Sequence, residues 1–225
     1  MDKKYLYAIK EKASDILHSL PSGVILVAAA KTRSPDEVKS AIDGGISIIG
    51  YNYVQEAERM RQIINNPVQW HMIGHLQRNK VKMAVRLFDV IETIDSEKLA
   101  DMVNKYCIDD DKIMPVLIEI NSGKESNKTG VFPVDVESLI LKINHLSNVR
   151  IKGLMTMGPR FGNPEDARPY FKITRSIFEH IKESRIEGIE MKYLSMGMSN
   201  SYKIAIEEGA NIVRIGTLLF GERFN

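Results

Sequence analysis

Residues 24–49 read VILVAAAKTRSPDEVKSAIDGGISII, and this stretch predicts the repeating unit of the fold. The apolar run Val24–Ala30 has the length and composition of a strand that is buried on both faces. Ser34, Pro35 and Glu37 then form the pattern of a helix N-terminus with a capping box, and two glycines end that helix. The next apolar run follows directly, so the stretch predicts strand, helix, strand.

The same alternation continues along the chain, after an amphipathic helix predicted over Asp2–Leu20. The further predicted strands are Ile46–Ile49, Val68–Ile73, Phe88–Ile94, Ile113–Ile120, Val149–Thr156, Met191–Ser195 and Asn211–Ile215. The further predicted helices are Val54–Ile64, Asn79–Leu87, Ser96–Tyr106, Val134–Leu146, Glu165–Glu183 and Ser199–Glu208. With the first strand, this pattern predicts eight strands that are separated by helices.

Eight alternating units predict a TIM barrel, because strands that alternate with helices form a parallel sheet and eight of them close it. A doubly wound open sheet is the alternative. The sequence has neither a Gly-x-Gly-x-x-Gly after its first strand nor a Walker-type glycine–lysine loop, which disfavours that alternative. We therefore predict an α/β protein, a single TIM (β/α)8 barrel domain over residues 1–225 with an extra N-terminal helix. Its chemistry would lie at the C-terminal ends of the strands.

The composition excludes several function classes. The 225 residues contain 31 Lys+Arg and 29 Asp+Glu, a formal charge of +2, without a long block of either sign that could bind nucleic acid or coat a membrane. The longest apolar run has seven residues, whereas a membrane span needs about 20. A single cysteine, Cys107, excludes an internal disulfide and fits a reducing compartment. We expect a cytoplasmic protein.

Lys31 follows the first predicted strand directly. Because side chains alternate along a strand, Val27, Ala29 and Lys31 share one face, and an inward face would place this amine at the barrel mouth. One interpretation is a solvated surface lysine, as most lysines are. The other is a Schiff-base lysine, because desolvation or a nearby cation favours the neutral, nucleophilic amine that attacks an aldehyde.

The ends of the last two strands predict a phosphate site. The sequence SMGMS ends the seventh strand and opens a helix, so Ser199 is predicted to cap that helix beside free backbone N–H groups. The eighth strand ends with Arg214, after which Gly216 permits close backbone approach and Thr217 adds a hydroxyl. Each signal alone is more often an ordinary cap, but TIM barrels commonly hold phosphate at these two loops. The coincidence favours a functional site.

Two further sets of side chains allow a structural and a functional interpretation. Arg214 shares its strand face with Gly216 and would point into the barrel mouth, or it would form a buried structural ion pair, with Glu119 as the candidate partner. His71 and His75 have a spacing that could bind a metal on a helix. Here the spacing falls across a strand and its loop, and no third ligand is evident, so we interpret both as structural histidines.

Together these motifs resemble the pyridoxal-phosphate homeostasis protein family, which consists of barrel proteins related in fold to alanine racemase. The resemblance covers nearly the whole chain, and several motifs match in order. The matching segments are residues 28–32 (AAAKT), 52–56 (NYVQE), 70–80 (WHMIGHLQRNK), 121–122 (NS), 128–130 (KTG), 153–157 (GLMTM), 195–199 (SMGMS) and 214–217 (RIGT). One departure is Tyr51, which stands where the family usually has an acidic residue.

The resemblance implies a pyridoxal 5'-phosphate (PLP) site. The residues it implies for that site are Lys31, Asn52, Ser199, Arg214, Gly216 and Thr217. Lys31 would form the internal aldimine, and Arg214 would approach the pyridine nitrogen. Asn52 would line the pocket, and the other three would hold the phosphate. This interpretation requires that Lys31, near the start of the chain, and the phosphate loops, near its end, meet around one ligand.

The resemblance also implies a role in PLP homeostasis, namely storage, protection or delivery of the cofactor, with PLP-dependent apoenzymes as partners. Arg214 cannot accept the pyridine proton, so the electron sink that PLP catalysis needs would be weak. The chain ends ten residues after the last predicted strand, so we expect no second domain like that of the racemase, and we expect a monomer without dedicated catalytic machinery. The alternatives are a PLP-dependent amino-acid racemase and a cofactor-free Schiff-base aldolase.

Overall fold

The structure is a computed structural model of the chain, and it describes residues 2–125, 128–159 and 162–222. Within these residues, eight parallel strands close into a barrel in sequence order, which confirms the predicted TIM barrel. The strands are β1 (Ile25–Ala29), β2 (Ile48–Tyr51), β3 (Gln69–Met72), β4 (Val90–Ile94), β5 (Met114–Ile120), β6 (Val149–Thr156), β7 (Tyr193–Ser195) and β8 (Ile212–Ile215).

Helices follow the strands around the outside of the barrel. They are α1 (Lys3–Ser19), α2 (Pro35–Asp43), α3 (Val54–Arg61), α4 (Val81–Leu87), α5 (Glu97–Asp109), α6 (Val136–Ile143), α7 (Arg168–Glu183), α8 (Tyr202–Glu207) and α9 (Thr217–Phe220). Short 3-10 helices precede α4, α6 and α7 at Arg78–Lys80, Pro133–Asp135 and Pro164–Ala167. In the described part of the chain, none of the helices has the length and apolar character needed to cross a bilayer.

The predicted capping box at the start of α2 is present. The Glu37 N–H donates to Ser34 Oγ at 3.3 Å, and the Ser34 N–H donates to Glu37 Oε2 at 2.8 Å. Asp2 caps α1, since its Oδ1 accepts the Lys4 N–H at 3.0 Å. These local bonds satisfy backbone donors that a helix leaves unpaired at its N-terminus, which explains why both starts were predictable from sequence.

The second strand was predicted two residues too early, at Ile46–Ile49 instead of Ile48–Tyr51. Gly50 reads as a turn residue, but its role here is to leave space inside the barrel. A Cβ at Gly50 would lie 2.7 Å from side-chain atoms of both Val27 and Ile73. The strand therefore continues through a glycine because the neighbouring inward side chains occupy the room that a larger residue would need.

Two apolar layers hold the barrel together. The larger lies between the outward faces of the strands and the helices. The smaller lies inside the barrel, where Val27, Ile48, Ile73 and Ile212 are in contact. Its members show which strand positions face the lumen, because side chains alternate between the two faces of a strand. By this alternation Ala29, Asn52 and Arg214 also lie on lumen-facing positions.

The first and last strands pair directly and close the barrel. Their register places Val27 opposite Arg214 and Ala28 opposite Ile215. The segments that follow β1 and β8 therefore leave the same edge of the barrel side by side, although they are separated by nearly the whole chain. This arrangement meets the geometric requirement of the sequence interpretation, which needs Lys31 and the last phosphate loop at one mouth.

Candidate cofactor site at the barrel mouth

Lys31 lies two residues beyond the end of β1, at the C-terminal mouth of the barrel, and is half-buried. The backbone turns sharply after it. The Arg33 N–H donates to the Ala30 carbonyl oxygen at 3.1 Å, and Thr32 adopts φ +64°, a left-handed conformation that is uncommon for a residue other than glycine. The Ala30 N–H donates to the Gly50 carbonyl oxygen at 3.0 Å and ties this turn to β2. The amine is therefore presented from a fixed backbone.

Ser199 does not cap the helix that follows β7, and that prediction is wrong. Helix α8 begins at Tyr202, because the residues from Met198 first form a turn in which the Ser201 N–H donates to the Met198 carbonyl oxygen at 2.9 Å. The Ser199 hydroxyl points instead to the neighbouring loop. Its Oγ accepts the N–H groups of Gly216 at 3.1 Å and Leu218 at 3.2 Å. Ser199 thus connects the loops that follow β7 and β8.

These two backbone N–H groups converge on one oxygen atom, which is the geometry that binds an oxyanion. Small residues allow the two loops to come close enough for this convergence. A Cβ at Gly216 would lie 3.2 Å from the Ala29 carbonyl oxygen, and Gly197 adopts φ +86° with its would-be Cβ 2.6 Å from that of Ala205. The exposed Thr217 follows Gly216 at the start of α9. The donors, the glycines and the hydroxyls fit a phosphate group, so the chain's own residues suit PLP at this place.

Asn52 follows β2 directly and is half-buried on a lumen-facing position. The next loop approaches its backbone closely, because a Cβ at Gly74 would lie 2.6 Å from Asn52 Cα. Asn52 therefore lies on the rim of the mouth, on the strand that neighbours the strand of Lys31. Of the sequence-predicted site residues, Lys31, Asn52, Ser199, Gly216 and Thr217 all lie at this C-terminal mouth.

Arg214 is buried inside the barrel with 4% of its surface exposed. Its Nη1 donates to Ser195 Oγ at 2.5 Å, and its Nη2 donates to the Thr156 carbonyl oxygen at 2.8 Å. Burial lowers the pKa of Arg214 from its ordinary value, against the opposing charges of two nearby carboxyl groups. The pairing with Glu119 that we predicted as one alternative is wrong, since the ion pair of Arg214 is with Glu92, at 3.9 Å.

Glu92, in the middle of β4, is a buried residue that the sequence analysis missed. Its Oε2 accepts the Ser195 hydroxyl at 2.6 Å, and its Oε1 lies 2.7 Å from His71 Nδ1. Burial alone would raise the pKa of this carboxyl, but its contacts with His71, Arg214 and Ser195 outweigh burial and hold the pKa below its ordinary value. The available signal was a lone glutamate in the apolar run Phe88–Ile94.

The two histidines of the WHMIGH motif have different surroundings. His71 is buried against Glu92, and its Nε2 has no hydrogen-bond partner within the described residues. His75 is half-exposed, with Nδ1 3.5 Å from Asp95 Oδ2. Across residues 2–125, 128–159 and 162–222 no cluster of three potential metal ligands occurs. His71 therefore contacts the Glu92 carboxylate and belongs to the buried polar network that Glu92, Ser195 and Arg214 form.

Glu119 near the end of β5 is a second buried carboxyl, 2% exposed. Its Oε1 accepts the Thr129 hydroxyl at 2.8 Å, whereas its Oε2 is buried and makes no hydrogen bond in the part of the chain that is described. Burial raises the pKa of Glu119, and the negative charge of Asp95 adds to the effect. The lumen thus contains one carboxyl with a lowered pKa beside Arg214 and one with a raised pKa farther from it.

Tyr51, the departure from the family pattern, lies outside this site. Its side chain is 1% exposed and packs in the outer core, with its ring stacked on Trp70 at 5.8 Å between centroids. Burial raises the pKa of its hydroxyl. The substitution at this position therefore changes packing between the barrel and its helices rather than the residues that face the lumen.

Comparisons with known proteins show the family of this chain. The family model described as the alanine racemase N-terminal domain matches residues 6–224. A pyridoxal phosphate homeostasis protein from Aquifex aeolicus is 41% identical over 199 residues, which cover 88% of this chain and 86% of that protein. A protein of the same name from Schizosaccharomyces pombe is 36% identical over 203 residues, which cover 89% of this chain and 84% of that protein.

Solved structures show the same barrel. PipY of Synechococcus elongatus, with PLP bound, superposes with a TM-score of 0.87 at 28% identity, covering 95% of this chain and all of that one. An alanine racemase from Clostridium difficile superposes with a TM-score of 0.77 at 14% identity, covering 96% of this chain and 56% of that one. The racemase likeness shows the fold alone, whereas the sequence matches place the chain among closer relatives.

Proposed function

This chain belongs to the pyridoxal phosphate homeostasis proteins, within the alanine racemase N-terminal domain family, and on that premise we propose how its barrel mouth holds and releases PLP. Its function is PLP homeostasis, and its ligand is PLP. The observation that carries the proposal is the pairing of β1 with β8, which puts a lysine amine and converging N–H donors at the same edge of the barrel.

The cofactor supplies an aldehyde that condenses reversibly with a primary amine. Lys31 provides that amine from the fixed turn after β1. The phosphate would replace the Ser199 oxygen as the acceptor for the N–H groups of Gly216 and Leu218, and the hydroxyls of Ser199 and Thr217 would donate to it. Three or four such bonds to a charged group contribute about 1.5–3 kcal/mol each before ordering costs, which is compatible with micromolar affinity, about 8 kcal/mol.

Arg214 and Asn52 complete the proposed pocket. Arg214 lies on a lumen-facing position of β8, so its guanidinium would approach the pyridine nitrogen from within the barrel. A guanidinium stays protonated and accepts no proton, so it does not stabilise a protonated pyridine ring. Asn52 on the rim of β2 would contact the ring side of the ligand. This arrangement favours storage, protection and delivery of PLP over turnover of a substrate.

We infer that the chain acts as one domain over residues 1–225, as a monomer in the cytoplasm, and that PLP-dependent apoenzymes receive its cofactor. Reversible attachment to one lysine fits delivery, because an incoming amine would take the place of the Lys31 amine at the carbonyl carbon of the cofactor, and Lys31 would be released as the free amine. A protein in this role protects cellular amines from an aldehyde that would otherwise modify them without selection.

The test is an absorbance spectrum of the protein with PLP before and after borohydride reduction, followed by peptide mapping. We expect the reduced cofactor on the peptide that contains Lys31. Lys31→Ala should lose the visible band and the reduced adduct but retain weak, phosphate-competed PLP binding. Lys39→Ala, which removes an exposed lysine from α2, is the matched control and should behave as the wild type. A trapped adduct at the same pocket in Lys31→Ala would contradict the assignment.

A racemase is the second candidate, because the family model that matches residues 6–224 is that of the alanine racemase N-terminal domain. It predicts exchange of the α-proton with deuterated solvent when PLP-loaded protein is incubated with amino acids. We expect no exchange above that of free PLP across a panel of amino acids. A cofactor-free Schiff-base aldolase predicts a colourless protein, so release of PLP by acid from the purified protein would remove it.

A further inference from the structure

Glu92 is the most completely buried ionisable side chain of the lumen, and none of the proposed contacts with PLP uses it. Burial of a carboxylate is costly unless hydrogen bonds and an opposite charge compensate for it. Here three side chains do so, namely His71, Ser195 and Arg214. Such a group is retained in an apolar barrel at a cost, so its position beside Arg214 calls for a functional explanation.

The contacts of Ser195 are directional. Its hydroxyl has one proton, which it donates to Glu92 Oε2 at 2.6 Å. Its oxygen is then an acceptor for the Nη1 N–H of Arg214 at 2.5 Å. The Glu92 carboxylate therefore fixes the direction in which the Ser195 hydroxyl donates. Ser195 in turn fixes the position of the oxygen that accepts from Arg214. A group at position 92 that donates a hydrogen bond would leave the Ser195 proton without this acceptor, because the Arg214 guanidinium only donates.

His71 fixes the other end of the network. Its Nδ1 lies 2.7 Å from Glu92 Oε1, so both oxygens of the carboxylate have partners and the group cannot rotate without losing one of them. On the far side, the Thr156 carbonyl oxygen accepts from Nη2 of Arg214. The guanidinium is thus held at two of its nitrogens, while the carboxylate offsets its charge across 3.9 Å.

We propose that Glu92 is a positioning residue for the PLP ring. It acts through Ser195, which orients the Arg214 guanidinium, and through its own negative charge, which offsets that of Arg214. The ring nitrogen then meets a cation that is fixed in one orientation and partly neutralised. This inference rests on the proposed function, in which Arg214 approaches the ring, but it concerns Glu92 and Ser195, to which the proposed function assigns no contact with PLP.

Glu92→Gln tests the proposal, because it keeps the size of the side chain and removes the charge. The amide oxygen of glutamine replaces only one of the two carboxylate oxygens, so either the contact with Ser195 or the contact with His71 is reversed or lost, and the negative charge beside Arg214 disappears in both cases. We expect PLP affinity to fall about tenfold and the visible band of lysine-bound PLP to shift, with Lys31 still trapped by borohydride. A merely structural residue would change stability without moving this band, so a shift of the band identifies a positioning role.

Glu119→Gln is the matched control. It removes another buried carboxyl from the same lumen. The hydrogen bonds of Glu119 do not involve Ser195 or Arg214, and its charge acts on Arg214 less than that of Glu92 does. We expect the position of its band to be unchanged and PLP affinity to change less than twofold. A double variant with Ser195→Ala should lose little more affinity than Glu92→Gln alone, because contacting residues of one network are not additive.

The outcomes separate the two proposals. If the wild type binds PLP at Lys31 and Glu92→Gln has the same affinity and spectrum, this inference is wrong and the proposed function stands. If the wild type takes up no PLP, the proposed function itself fails. Circular dichroism checks folding, and if Glu92→Gln does not fold, Ser195→Ala alone breaks the same link without uncovering a new charge. An unchanged band in a folded Ser195→Ala variant would then overturn the proposal.

Discussion

The two sides of the barrel mouth differ in the chemical groups that line them and in how deeply those groups are buried. The β8–β1 side carries a half-buried lysine, and in the adjoining loop the N–H groups of Gly216 and Leu218 donate to the Ser199 hydroxyl. On the β3–β5 side, His71, Glu92 and Glu119 are fully buried ionisable groups. The first set can exchange its partner for a ligand oxygen at little cost. The second set has no access to water and depends on permanent internal partners.

This difference predicts how each side responds to substitution. Changes on the β8–β1 side should alter PLP binding more than folding, because water can replace a lost partner there. Changes on the β3–β5 side should alter stability more, because a broken contact leaves a buried group uncompensated. Arg214 belongs to both sides, since it lies on β8 and contacts the buried carboxylate of β4.

Arg214→Met should produce the largest effect on stability. It leaves the Glu92 charge buried without its ion-pair partner, so the free energy of unfolding should fall by about 3–5 kcal/mol. Urea unfolding followed by circular dichroism measures it. The double variant with Glu92→Leu removes both charges and should recover part of the loss. A loss below about 1 kcal/mol in the single variant would mean that the two sides are not coupled through this pair.

Gly197→Ala should come next, and Gly23→Ala is its matched control. Both glycines have φ +86°, and the strain of a left-handed alanine costs about 1–2 kcal/mol in each variant. A Cβ at Gly23 meets nothing within 4 Å, whereas one at Gly197 would lie 2.6 Å from the Ala205 Cβ. Gly197→Ala should therefore lose about 1–3 kcal/mol more stability through overpacking, and it alone should weaken PLP binding. Equal losses in the two variants would contradict the close packing after β7.

Ser199→Ala should have a moderate effect that is confined to binding. The two N–H groups remain, so PLP affinity should fall by the contribution of one hydrogen bond to a charged group, about 1.5–3 kcal/mol. The melting temperature without PLP should change little, because this site is half-buried and accessible to water. A PLP titration measures the first quantity and thermal unfolding the second. Ser184→Ala, at the exposed end of α7, is the control and should alter neither.

The pH dependence of Glu119 should give the smallest effect. Because the folded pKa of Glu119 is raised above its ordinary value of 4.5, its favourable contribution is present below that value and is lost as the pH rises through the folded pKa. The melting temperature of the wild type should therefore fall relative to that of Glu119→Gln as the pH rises from 4.5 towards 8. A constant difference across this range would show that burial does not penalise the charged form.

The sequence predicted one side of the mouth well because its signals are local. The apolar run before Lys31, the capping box of α2 and the glycine after Arg214 each lie within a few neighbouring residues. The alternation of eight strands with helices then placed these signals at a common edge. Local order and the closure of the barrel were sufficient, and no side-chain contact across the lumen had to be known.

The other side could not be predicted in the same way, because its contacts join distant residues. Glu92 meets His71 across 21 residues and Ser195 across 103. Which lumen-facing residues reach each other depends on the stagger between neighbouring strands, and the register shifts within the β4–β5 pair. The same dependence led to the wrong partner for Arg214. Ser199 was misassigned because a three-residue turn, which sequence does not distinguish from a helix start, precedes α8.

The pairing of β1 with β8 has a consequence for assembly. Lys31 leaves the ribosome before the donors for the phosphate, because Gly216 and Leu218 follow it much later in the sequence. A nascent chain would therefore carry a reactive amine long before it had anything with which to select a ligand. PLP uptake should therefore require a closed barrel. The rate of PLP uptake during refolding should follow the slow, non-local pairing of β1 with β8.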